Sequence, residues 1–193
     1  MARPLLEVRD LAVYYSSVRG DYRVVDGVSF RVYDDEVVGI AGESGCGKST
    51  LVEGLLRLVM PPGRIVSGEV IAPTLASEVR YTSDLLSMSE EEYRRLRWRR
   101  ISYIPQGSMN SLNPVMRIRD QMADVILTHA PEAKPDLEQR IGELLAAVGL
   151  SAEVAGMYPH ELSGGMKQRA IIGMAIALNP DLIIADEPTT ALD

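Results

Sequence analysis

A glycine-rich loop lies between an apolar run and an amphipathic segment in the first third of the chain. Residues 42–50 have the sequence Gly-Glu-Ser-Gly-Cys-Gly-Lys-Ser-Thr, which fits the pattern G-x-x-x-x-G-K-[ST]. The run before it, 37–41, predicts a strand buried on both faces of a parallel sheet. The segment after it, 49–60, predicts a helix that Pro61 and Pro62 end. Strand, glycine loop and helix in this order predict an α/β fold with a site for phosphate.

The chemistry of this phosphate loop (residues 42–50) follows from its backbone. Loop N–H groups and the N-terminus of the next helix point at phosphate oxygens, and the glycines allow close approach. Lys48 is then placed to reach the β- and γ-phosphates of ATP, and the Ser49 hydroxyl to bind Mg²⁺. Cys46 is best interpreted as a small loop residue rather than a redox switch. The predicted nucleotide contacts are Gly42, Glu43, Ser44, Gly45, Cys46, Gly47, Lys48, Ser49 and Thr50.

Two adjacent carboxylates follow the last apolar run of the chain. Residues 182–185 predict a buried strand, and Asp186 and Glu187 come directly after it. The strand aims both side chains at the carboxyl edge of the sheet, where α/β proteins bind ligands. We therefore predict that Asp186 holds Mg²⁺, through water, and that Glu187 polarises the attacking water or accepts its proton. An acidic turn exposed to solvent is the alternative.

Further candidate side chains rest on weaker signals. Gln106 follows the predicted strand 101–104 and is placed to contact both the metal and the attacking water, although a plain loop glutamine fits equally well. Tyr14 and Tyr15 lie on an early predicted strand, and one of them is a candidate to stack on adenine. Our candidate is Tyr15. It is in phase with the apolar residues of its strand, so a core or edge tyrosine is the alternative.

A second glycine turn opens a long apolar segment near the end of the chain. This second glycine loop (Leu162–Arg169) has the sequence Leu-Ser-Gly-Gly-Met-Lys-Gln-Arg, and a buried helix is predicted from Lys167 to Leu178. The phosphate loop already supplies a complete cradle, so a second anion-binding helix start cannot serve the same nucleotide. We infer that this chain completes the ATP site of a partner.

Composition excludes several classes of protein. Of the 193 residues, 46% are hydrophobic and 24% charged, so the chain can form one domain with a sizeable core. A net charge of −7 argues against a general nucleic-acid surface, and the arginine-rich run 94–100 is better interpreted as a solvated helix face. The single cysteine excludes an internal disulfide and a multi-cysteine zinc site. Neither a signal peptide nor a membrane span is evident, so we expect a cytosolic protein that reaches the membrane through a partner.

The order of these motifs resembles that of a known family. The phosphate loop, Gln106, the second glycine loop and residues 182–193 follow one another as in the ATP-binding-cassette (ABC) ATPases, and the resemblance covers nearly the whole chain. It implies an α/β P-loop NTPase core with a mainly parallel sheet, an N-terminal antiparallel β subdomain and an inserted helical subdomain. Within one cassette domain, 1–193, it places the antiparallel sheet and phosphate-loop core at 1–106. The helical subdomain falls at 107–163, and the return to the core at 164–193.

The resemblance also implies a partner cassette. In that family two cassettes pair head to tail, and each ATP lies between the phosphate loop of one and the signature loop of the other. Carried over, Ser163, Gly164 and Gly165 contact the γ-phosphate of the partner's ATP, and Gln168 lies near its ribose. Residues 190–193 match the family's D-loop, which crosses the dimer interface. The partner is a second cassette, either the same protein or a paralogue.

A narrower likeness concerns the helical region. Residues 111–114 (Ser-Leu-Asn-Pro) and 158–161 (Tyr-Pro-His-Glu) are similar to those of oligopeptide and dipeptide importers, although Gly107 and Ser108 stand where that subgroup usually has Asp-Pro. This likeness implies an ATPase on the cytoplasmic face of the membrane that energises peptide import. Its partners are then two transmembrane permease subunits and, indirectly, a solute-binding protein. The alternatives are an importer of nickel or another small solute, a soluble ABC ATPase of translation or DNA repair, and a non-catalytic regulatory cassette.

One family feature is missing from the sequence. The switch histidine of ABC ATPases, which contacts the γ-phosphate, lies on a strand beyond the D-loop, and the sequence ends at Asp193. We therefore expect a fragment of a longer cassette. Such a fragment is expected to bind ATP weakly or moderately and to hydrolyse it very poorly.

Overall fold

The chain folds as two units that divide between Leu96 and Arg97. The computed structural model describes residues 4–73, 75 and 83–188, with the exception of the side chain of Ser108. In the described part of the first unit the elements are β1 (Leu6–Ser17), β2 (Gly20–Val32), α1 (Lys48–Leu55), β3 (Gly63–Ile71) and α2 (Glu90–Leu96). In that of the second unit they are β4 (Ile101–Ile104), α3 (Ile118–His129), α4 (Leu137–Ala147), α5 (Gly164–Ala175) and β5 (Leu182–Ala185), with short 3₁₀ turns between them.

The sheet of the first unit is antiparallel, with β1 in the centre between β2 and β3. The early strand predicted around Tyr14 and Tyr15 is confirmed as β1, and alternating apolar residues are also present at the end of β2, at Val28, Phe30 and Val32. The alternation fails at one place, where Leu11, Ala12 and Val13 are all buried. The pairing register with β2 shifts between Val8 and Leu11 and again between Leu11 and Val13, and Asp10 has a φ of 46°. Such irregularities bend a strand and change which side chains face inward, so a strict period of two cannot predict them.

The apolar run 37–41 does not form the strand that the sequence predicts. Val37 and Ile40 are 98% and 45% exposed, and no described strand of this unit pairs with the run. A strand is held by a ladder of hydrogen bonds to a neighbour, and the ladders of this sheet join β1, β2 and β3 only. Without a neighbour the apolar side chains stay in contact with solvent. The prediction of a strand buried on both faces is therefore wrong for this structure.

The helix after the phosphate loop is confirmed, but it is shorter than predicted. It ends at Leu55, and Arg57 takes a left-handed conformation with a φ of 56°. The Arg57 guanidinium donates to the carbonyl oxygen of Met88 at 2.8 Å and lies over the ring of Tyr93, 5.1 Å from its centroid. These tertiary contacts hold the backbone out of the helix, so the apolar pattern that continues to Met60 does not extend it.

Helix α2 begins with a capping box, whose sequence signature is the Ser-x-x-Glu pattern of residues 89–92. The N–H of Ser89 donates to Oε2 of Glu92 at 2.9 Å, and the N–H of Glu92 donates to Oγ of Ser89 at 3.3 Å. Each residue thereby satisfies a backbone donor that the helix leaves without a partner. The hydrogen bonds from the hydroxyl and N–H of Ser89 also hold the pKa of Glu92 below its usual range.

The arginine-rich run 94–100 contains several ion pairs. They are Arg95–Glu91, Arg99–Glu132 and Arg100–Asp181, with N–O distances of 2.6, 2.8 and 3.0 Å. Carboxylates therefore balance part of the positive charge within each unit. The helical part of the run, up to Leu96, has Arg94 and Arg95 exposed, which agrees with a solvated face.

Three helices of the second unit share one apolar core. Met122 of α3, Ile141 of α4 and Met174 of α5 are among its buried side chains. The apolar residues at 137–148 recur with the period of a helix and form this face of α4. Gly149 follows the helix with a φ of 69°, the left-handed conformation in which many helices end. The predicted helical region between Gln106 and Ser163 is therefore confirmed as a set of helices and 3₁₀ turns.

Two short parallel strands, β4 and β5, form the sheet of the second unit. The sequence predicted both strands, and both are confirmed. However, β5 is not buried on both faces, because Ile183 is 43% exposed. In the described part of the chain, β4 is the strand that pairs with it, and the opposite edge of β5 carries no ladder. The expectation that this strand is fully covered was wrong.

The predicted division of the chain into 1–106, 107–163 and 164–193 stays a prediction. The two compact units divide the chain at a single place, ahead of β4. The predicted D-loop, 190–193, lies outside the described residues. Over the described ranges, none of the helices has the length and apolar character needed to cross a membrane.

We predict that Gly68→Ala strongly destabilises the antiparallel sheet. Gly68 has a φ of 109°, and an added Cβ would lie 2.5 Å from the Cα of Leu11 and 2.8 Å from the carbonyl oxygen of Asp10. Because both contacts are with backbone, neither neighbour can move away easily. We expect the free energy of unfolding to fall by at least about 2 kcal/mol in denaturant titrations. Gly39→Ala is the control, since its Cβ would meet nothing within 4 Å. Equal stability of the two variants would contradict the packing of β1 on β3.

Candidate functional site

The phosphate loop leaves its backbone open to a ligand. Residues 42–46 are exposed, and Gly45 and Gly47 have φ angles of 78° and 98°. A Cβ on Gly47 would lie 2.9 Å from the carbonyl oxygen of Val24, so both conformation and contact exclude a side chain there. Loops with such left-handed residues turn successive N–H groups into an anion-binding concavity. The geometry fits the predicted phosphate cradle.

Helix α1 begins in this loop without a side-chain cap. Gly47 is its N-cap residue, and none of the described side chains accepts a hydrogen bond from the first N–H groups of the helix. Uncapped N–H groups and the helix dipole favour an anion at this end. Ser49 and Thr50, two of the predicted nucleotide contacts, lie half-buried in this first turn.

The Lys48 ammonium is held against the loop backbone. It donates to the carbonyl oxygens of Gly42 and Glu43, both at 2.8 Å. Carbonyl acceptors do not neutralise its charge, so an anion that reaches the loop finds a cation already in place. The Sγ of Cys46 lies 3.8 Å from the same nitrogen. A Cβ on Gly42 would be 2.6 Å from that sulfur, so Gly42 provides space for Cys46, which fits its interpretation as a small loop residue.

The two candidate tyrosines on β1 have different surroundings. The Tyr14 hydroxyl donates to Oδ1 of Asp26 at 2.6 Å, and this hydrogen bond raises the pKa of Tyr14. Tyr15 is half-buried, and its ring lies so close to Gly63 that a Cβ there would be 2.8 Å from a ring carbon. The Tyr15 ring therefore packs against Gly63. Its stacking on adenine stays a prediction.

The two carboxylates after β5 lie in contrasting environments. The N–H of Asp186 donates to the carbonyl oxygen of Ile104 at 2.9 Å, which continues the β4–β5 ladder by one residue. The Asp186 side chain is 7% exposed, and its buried Oδ2 accepts no hydrogen bond from the described residues. Glu187 is exposed and has a left-handed φ of 49°. One carboxylate is therefore buried at the strand end, and the next points to solvent.

Gln106 and Glu187 are brought together although they are distant in sequence. The Nε2 of Gln106 donates to Oε2 of Glu187 at 3.0 Å across 81 positions. Each residue follows the end of a strand, and the parallel pairing of β4 with β5 places both ends on one edge. The sequence predicted both residues as site candidates, and the structure joins them.

The oxygen ligands at this edge suit a cation whose other ligands come from substrate phosphates and water. Asp186 offers a buried oxygen without a protein hydrogen-bond donor, and such groups are rare unless water or a metal satisfies them. The described residues contain no cluster of three or more His, Cys, Asp or Glu side chains that could hold a metal. Mg²⁺ often binds through one or two carboxylates together with substrate phosphates and water. Asp186 fits this mode of binding.

The second glycine loop forms the start of α5. Ser163 is the N-cap residue, and its Oγ accepts a hydrogen bond from the N–H of Met166 at 3.3 Å. Gly164 and Gly165 are the first two residues of the helix, which therefore begins three residues before the predicted start at Lys167. Glycine weakens a helix, whereas a serine cap stabilises its first turn. Here the cap stabilises the first turn enough for the helix to begin at Gly164.

Gln168 is more buried than a residue that contacts a ligand needs to be. It is 5% exposed, and its Nε2 donates to the carbonyl oxygen of Pro188 at 2.8 Å. The predicted contact with a partner's ribose stays a prediction, and it requires this amide to become accessible. The link to Pro188 is a feature that sequence reasoning missed. The signal for it was a glutamine within a helix whose other buried residues are apolar or small.

Residues 111–114 and 158–161, which are similar to those of peptide importers, lie in hydrogen-bonded turns. Gly107 has a φ of 65° and precedes a 3₁₀ turn at 108–111, so glycine suits the conformation at the position where the subgroup has Asp. The N–H of Tyr158 donates to Oε2 of Glu161 at 2.6 Å, and the Arg117 guanidinium lies 5.0 Å from the centroid of the Tyr158 ring. Both segments are therefore ordered parts of the helical region.

Comparison with protein families agrees with this geometry. Residues 25–190 match the family model described as "ABC transporter". The chain belongs to this family. The matched range contains the phosphate loop, Gln106, the second glycine loop and both carboxylates.

Curated relatives of this ABC transporter chain carry peptide-transport names. The oligopeptide transport ATP-binding protein OppD of Bacillus subtilis (strain 168) is 41% identical over 192 residues, which cover 98% of this chain and 51% of OppD. The dipeptide transport ATP-binding protein DppD of Caldanaerobacter subterraneus subsp. tengcongensis is 39% identical over 191 residues, which cover 98% of this chain and 56% of DppD. The chain thus spans about half the length of the curated relatives it matches.

Solved structures of ABC cassettes share the fold. The dimeric structure of MJ0796, a bacterial ABC transporter cassette, superposes with a TM-score of 0.78 at 26% identity, covering 97% of this chain and 76% of that one. A dimeric post-hydrolysis state of MJ0796 bound to ADP and Pi gives the same TM-score and coverage. The predicted class, an α/β P-loop NTPase with an antiparallel sheet, a parallel sheet and helices, is confirmed.

We predict that Ser163→Ala lowers the stability of the protein and that Ser163→Asp does not. Alanine removes the acceptor for the N–H of Met166, and loss of a cap of this kind costs about 0.5–2 kcal/mol. Aspartate keeps an acceptor and adds a negative charge that the helix dipole favours. Thermal unfolding of the wild type and both variants measures the difference. A Ser163→Ala protein as stable as the wild type would contradict the capping role.

Proposed function

We propose that this ABC cassette binds and hydrolyses ATP and thereby energises the uptake of dipeptides or oligopeptides. The observation that carries the proposal is the end of β5, where Asp186 is buried with an oxygen that accepts no described hydrogen bond and Glu187 is held by Gln106. A protein that only bound nucleotide would need the phosphate loop but not a carboxylate positioned to act on water. This arrangement supports a catalytic cassette over a purely regulatory one.

The phosphate loop is proposed to bind the triphosphate. Backbone N–H groups of residues 42–50 and the uncapped start of α1 contact phosphate oxygens, and the Lys48 ammonium exchanges its carbonyl acceptors for the β- and γ-phosphates. Hydrogen bonds between charged groups are stronger than those to neutral carbonyls, so this exchange favours binding. Ser49 and Asp186 are the proposed ligands of Mg²⁺, which neutralises phosphate charge when it binds with the nucleotide. Tyr15 is the proposed adenine contact.

Glu187 is proposed to act on the attacking water. The carboxylate orients the water or accepts its proton, and the hydrogen bond from Gln106 fixes the direction of one carboxylate oxygen. Because Gln106 follows β4, a movement of the helical region that begins after it can change the position of Glu187. This connection supports Gln106 as a second contributor to the reaction.

The second glycine loop is proposed to act on a partner's nucleotide. Ser163, Gly164 and Gly165 form an exposed or half-exposed helix start, which is suited to bind the γ-phosphate of an ATP held by another cassette. The structural relative MJ0796 has been solved as a dimer, which supports a paired arrangement. Two permease subunits and a solute-binding protein complete the proposed importer, with the cassette on the cytoplasmic face of the membrane.

The names of the relatives support peptides as the transported class. Relatives between 37% and 41% identical are named as oligopeptide, dipeptide or peptide transport ATP-binding proteins. These names favour a peptide importer over an importer of nickel and over a soluble ATPase of translation or DNA repair.

We predict that Glu187→Gln in the intact protein traps ATP and forms a stable pair of cassettes. The amide keeps the size of the carboxylate but cannot accept the proton of water, so turnover should fall by at least about a hundredfold. Phosphate release measures the loss of turnover, and light scattering in Mg²⁺ and ATP measures the pairing. Lys48→Ala is the control, because it should lose nucleotide binding and stay unpaired. A Glu187→Gln protein that binds ATP but stays monomeric would contradict the shared site.

We predict that transport of short peptides depends on the same residues. In a host that needs an imported dipeptide or oligopeptide for growth, the wild-type importer should restore growth, and its Glu187→Gln variant should not. Gly142→Ala is a matched control on the surface of α4, where an added Cβ meets nothing within 4 Å. Full ATPase activity without any peptide uptake, in the presence of its permease subunits, would reject the peptide assignment and keep the ATPase assignment.

A further inference from the structure

Gln168 is a buried amide on a helix whose buried face is otherwise apolar or small. Among the described residues, the other buried polar or charged ones are Ser102 and Asp186. The Nε2 of Gln168 donates to the carbonyl oxygen of Pro188 at 2.8 Å. Buried polar groups persist in such surroundings when their hydrogen bonds are made. The bond therefore ties a fixed position on α5 to the segment that follows β5.

Glu187 lies immediately before that proline in a conformation that needs support. Its φ of 49° is left-handed, a region that few residues other than glycine occupy. A residue that precedes proline is also biased toward extended backbone. Such a conformation persists only where the surrounding structure determines it. The orientation of the Glu187 carboxylate depends on that support.

Hydrogen bonds from separate segments provide the support. On one side, the N–H of Asp186 donates to the carbonyl oxygen of Ile104 at 2.9 Å, and Gln106 donates to the Glu187 side chain at 3.0 Å. Both of these come from β4 and the residues after it. On the other side, Gln168 holds the carbonyl of the next residue. Glu187 is thus fixed between the β4 strand end and helix α5.

We infer that Gln168 is a positioning residue for ATP hydrolysis, acting through the Pro188 carbonyl to set the backbone of Glu187. In this role it contacts neither the nucleotide nor the attacking water. The inference rests on the proposed function and deepens it. It connects the helix that begins in the second glycine loop to the carboxylate of the same chain, so an event at the start of α5 can alter that chain's own hydrolytic residue.

The first test replaces Gln168 by methionine in the intact protein. Methionine has a similar length and fits an apolar site, but it cannot donate to the Pro188 carbonyl. We expect kcat for ATP hydrolysis to fall by about 10–100-fold. The Kd for a fluorescent ATP analogue should change by less than about threefold, since ground-state binding does not use the link. Ile172→Val, one turn along the same helix, is the matched control and should leave kcat within about twofold.

A glutamate at the same position gives a second readout. An ionised glutamate cannot donate to the Pro188 carbonyl, whereas a protonated one can. Burial and the facing carbonyl oxygen favour the protonated form. The ratio of the Gln168→Glu kcat to the wild-type kcat should therefore rise as the pH falls from about 8 to about 6. The same ratio for Gln168→Met should stay constant. A merely structural loss would give two flat ratios.

Comparison of ATP with 2′,3′-dideoxy-ATP separates positioning from a ribose contact. A positioning residue lowers kcat by the same factor with both nucleotides. A residue that bound the ribose hydroxyls would lose its effect with the dideoxy nucleotide, and that outcome would overturn the inference.

The outcomes also separate this inference from the proposed function. If Glu187→Gln abolishes ATP hydrolysis but Gln168→Met has the kcat of the wild type, the inference is rejected and the proposed ATPase function is kept. A wild type without Mg²⁺-dependent turnover rejects the ATPase itself. If the methionine variant does not fold, the pH dependence of Gln168→Glu decides.

Discussion

The parallel pairing of β4 with β5 positions the candidate catalytic residues. The register matches Ile101 with Leu182 and Ile104 with Ala185, so the residues that follow the two strands lie on one edge. A shift of the register by two residues would move one strand end by about 6–7 Å relative to the other. That displacement is more than enough to break the hydrogen bond between Gln106 and Glu187. The site therefore depends on four pairs of residues whose own side chains take no part in the chemistry.

Sequence patterns predicted the features that are local. The start of the helix after the phosphate loop and the strands at 101–104 and 182–185 are each defined by a few neighbouring residues, and each was found where expected. The capping box at Ser89 is equally local. Features that depend on distant contacts were not predictable in the same way. Helix α1 ends early because Arg57 binds the carbonyl of Met88, and no pattern within the helix shows this. None of the described strands pairs with the run 37–41, although its composition fits a buried strand.

The candidate site shows the same division between local and distant determinants. Asp186 and Glu187 were identifiable because they directly follow an apolar run, and Gln106 because it follows another. Their different environments were not identifiable, since the burial of Asp186 and the left-handed backbone of Glu187 arise from packing and long-range hydrogen bonds. The hydrogen bond from Gln168 to Pro188 was missed for the same reason. Its partner is the backbone carbonyl of Pro188, which any residue would offer, so the sequence of the partner carries no signal.

The proposed binding of ATP and its proposed hydrolysis therefore depend on different kinds of contact. The candidate phosphate site offers backbone N–H groups, glycine conformations and one ammonium, and all of these lie within nine consecutive residues. The proposed catalytic carboxylate of Glu187 is instead held by donors from Gln106, 81 positions away, and from Gln168 on α5, and by the Ile104 carbonyl of β4, which accepts from the N–H of Asp186. A small movement of α5 or of the segment after β4 can therefore change the reactivity of Glu187 while the phosphate loop keeps its shape. In the proposed function ATP is held before it is cleaved, and the separation of the two steps follows from which contacts are local and which are not.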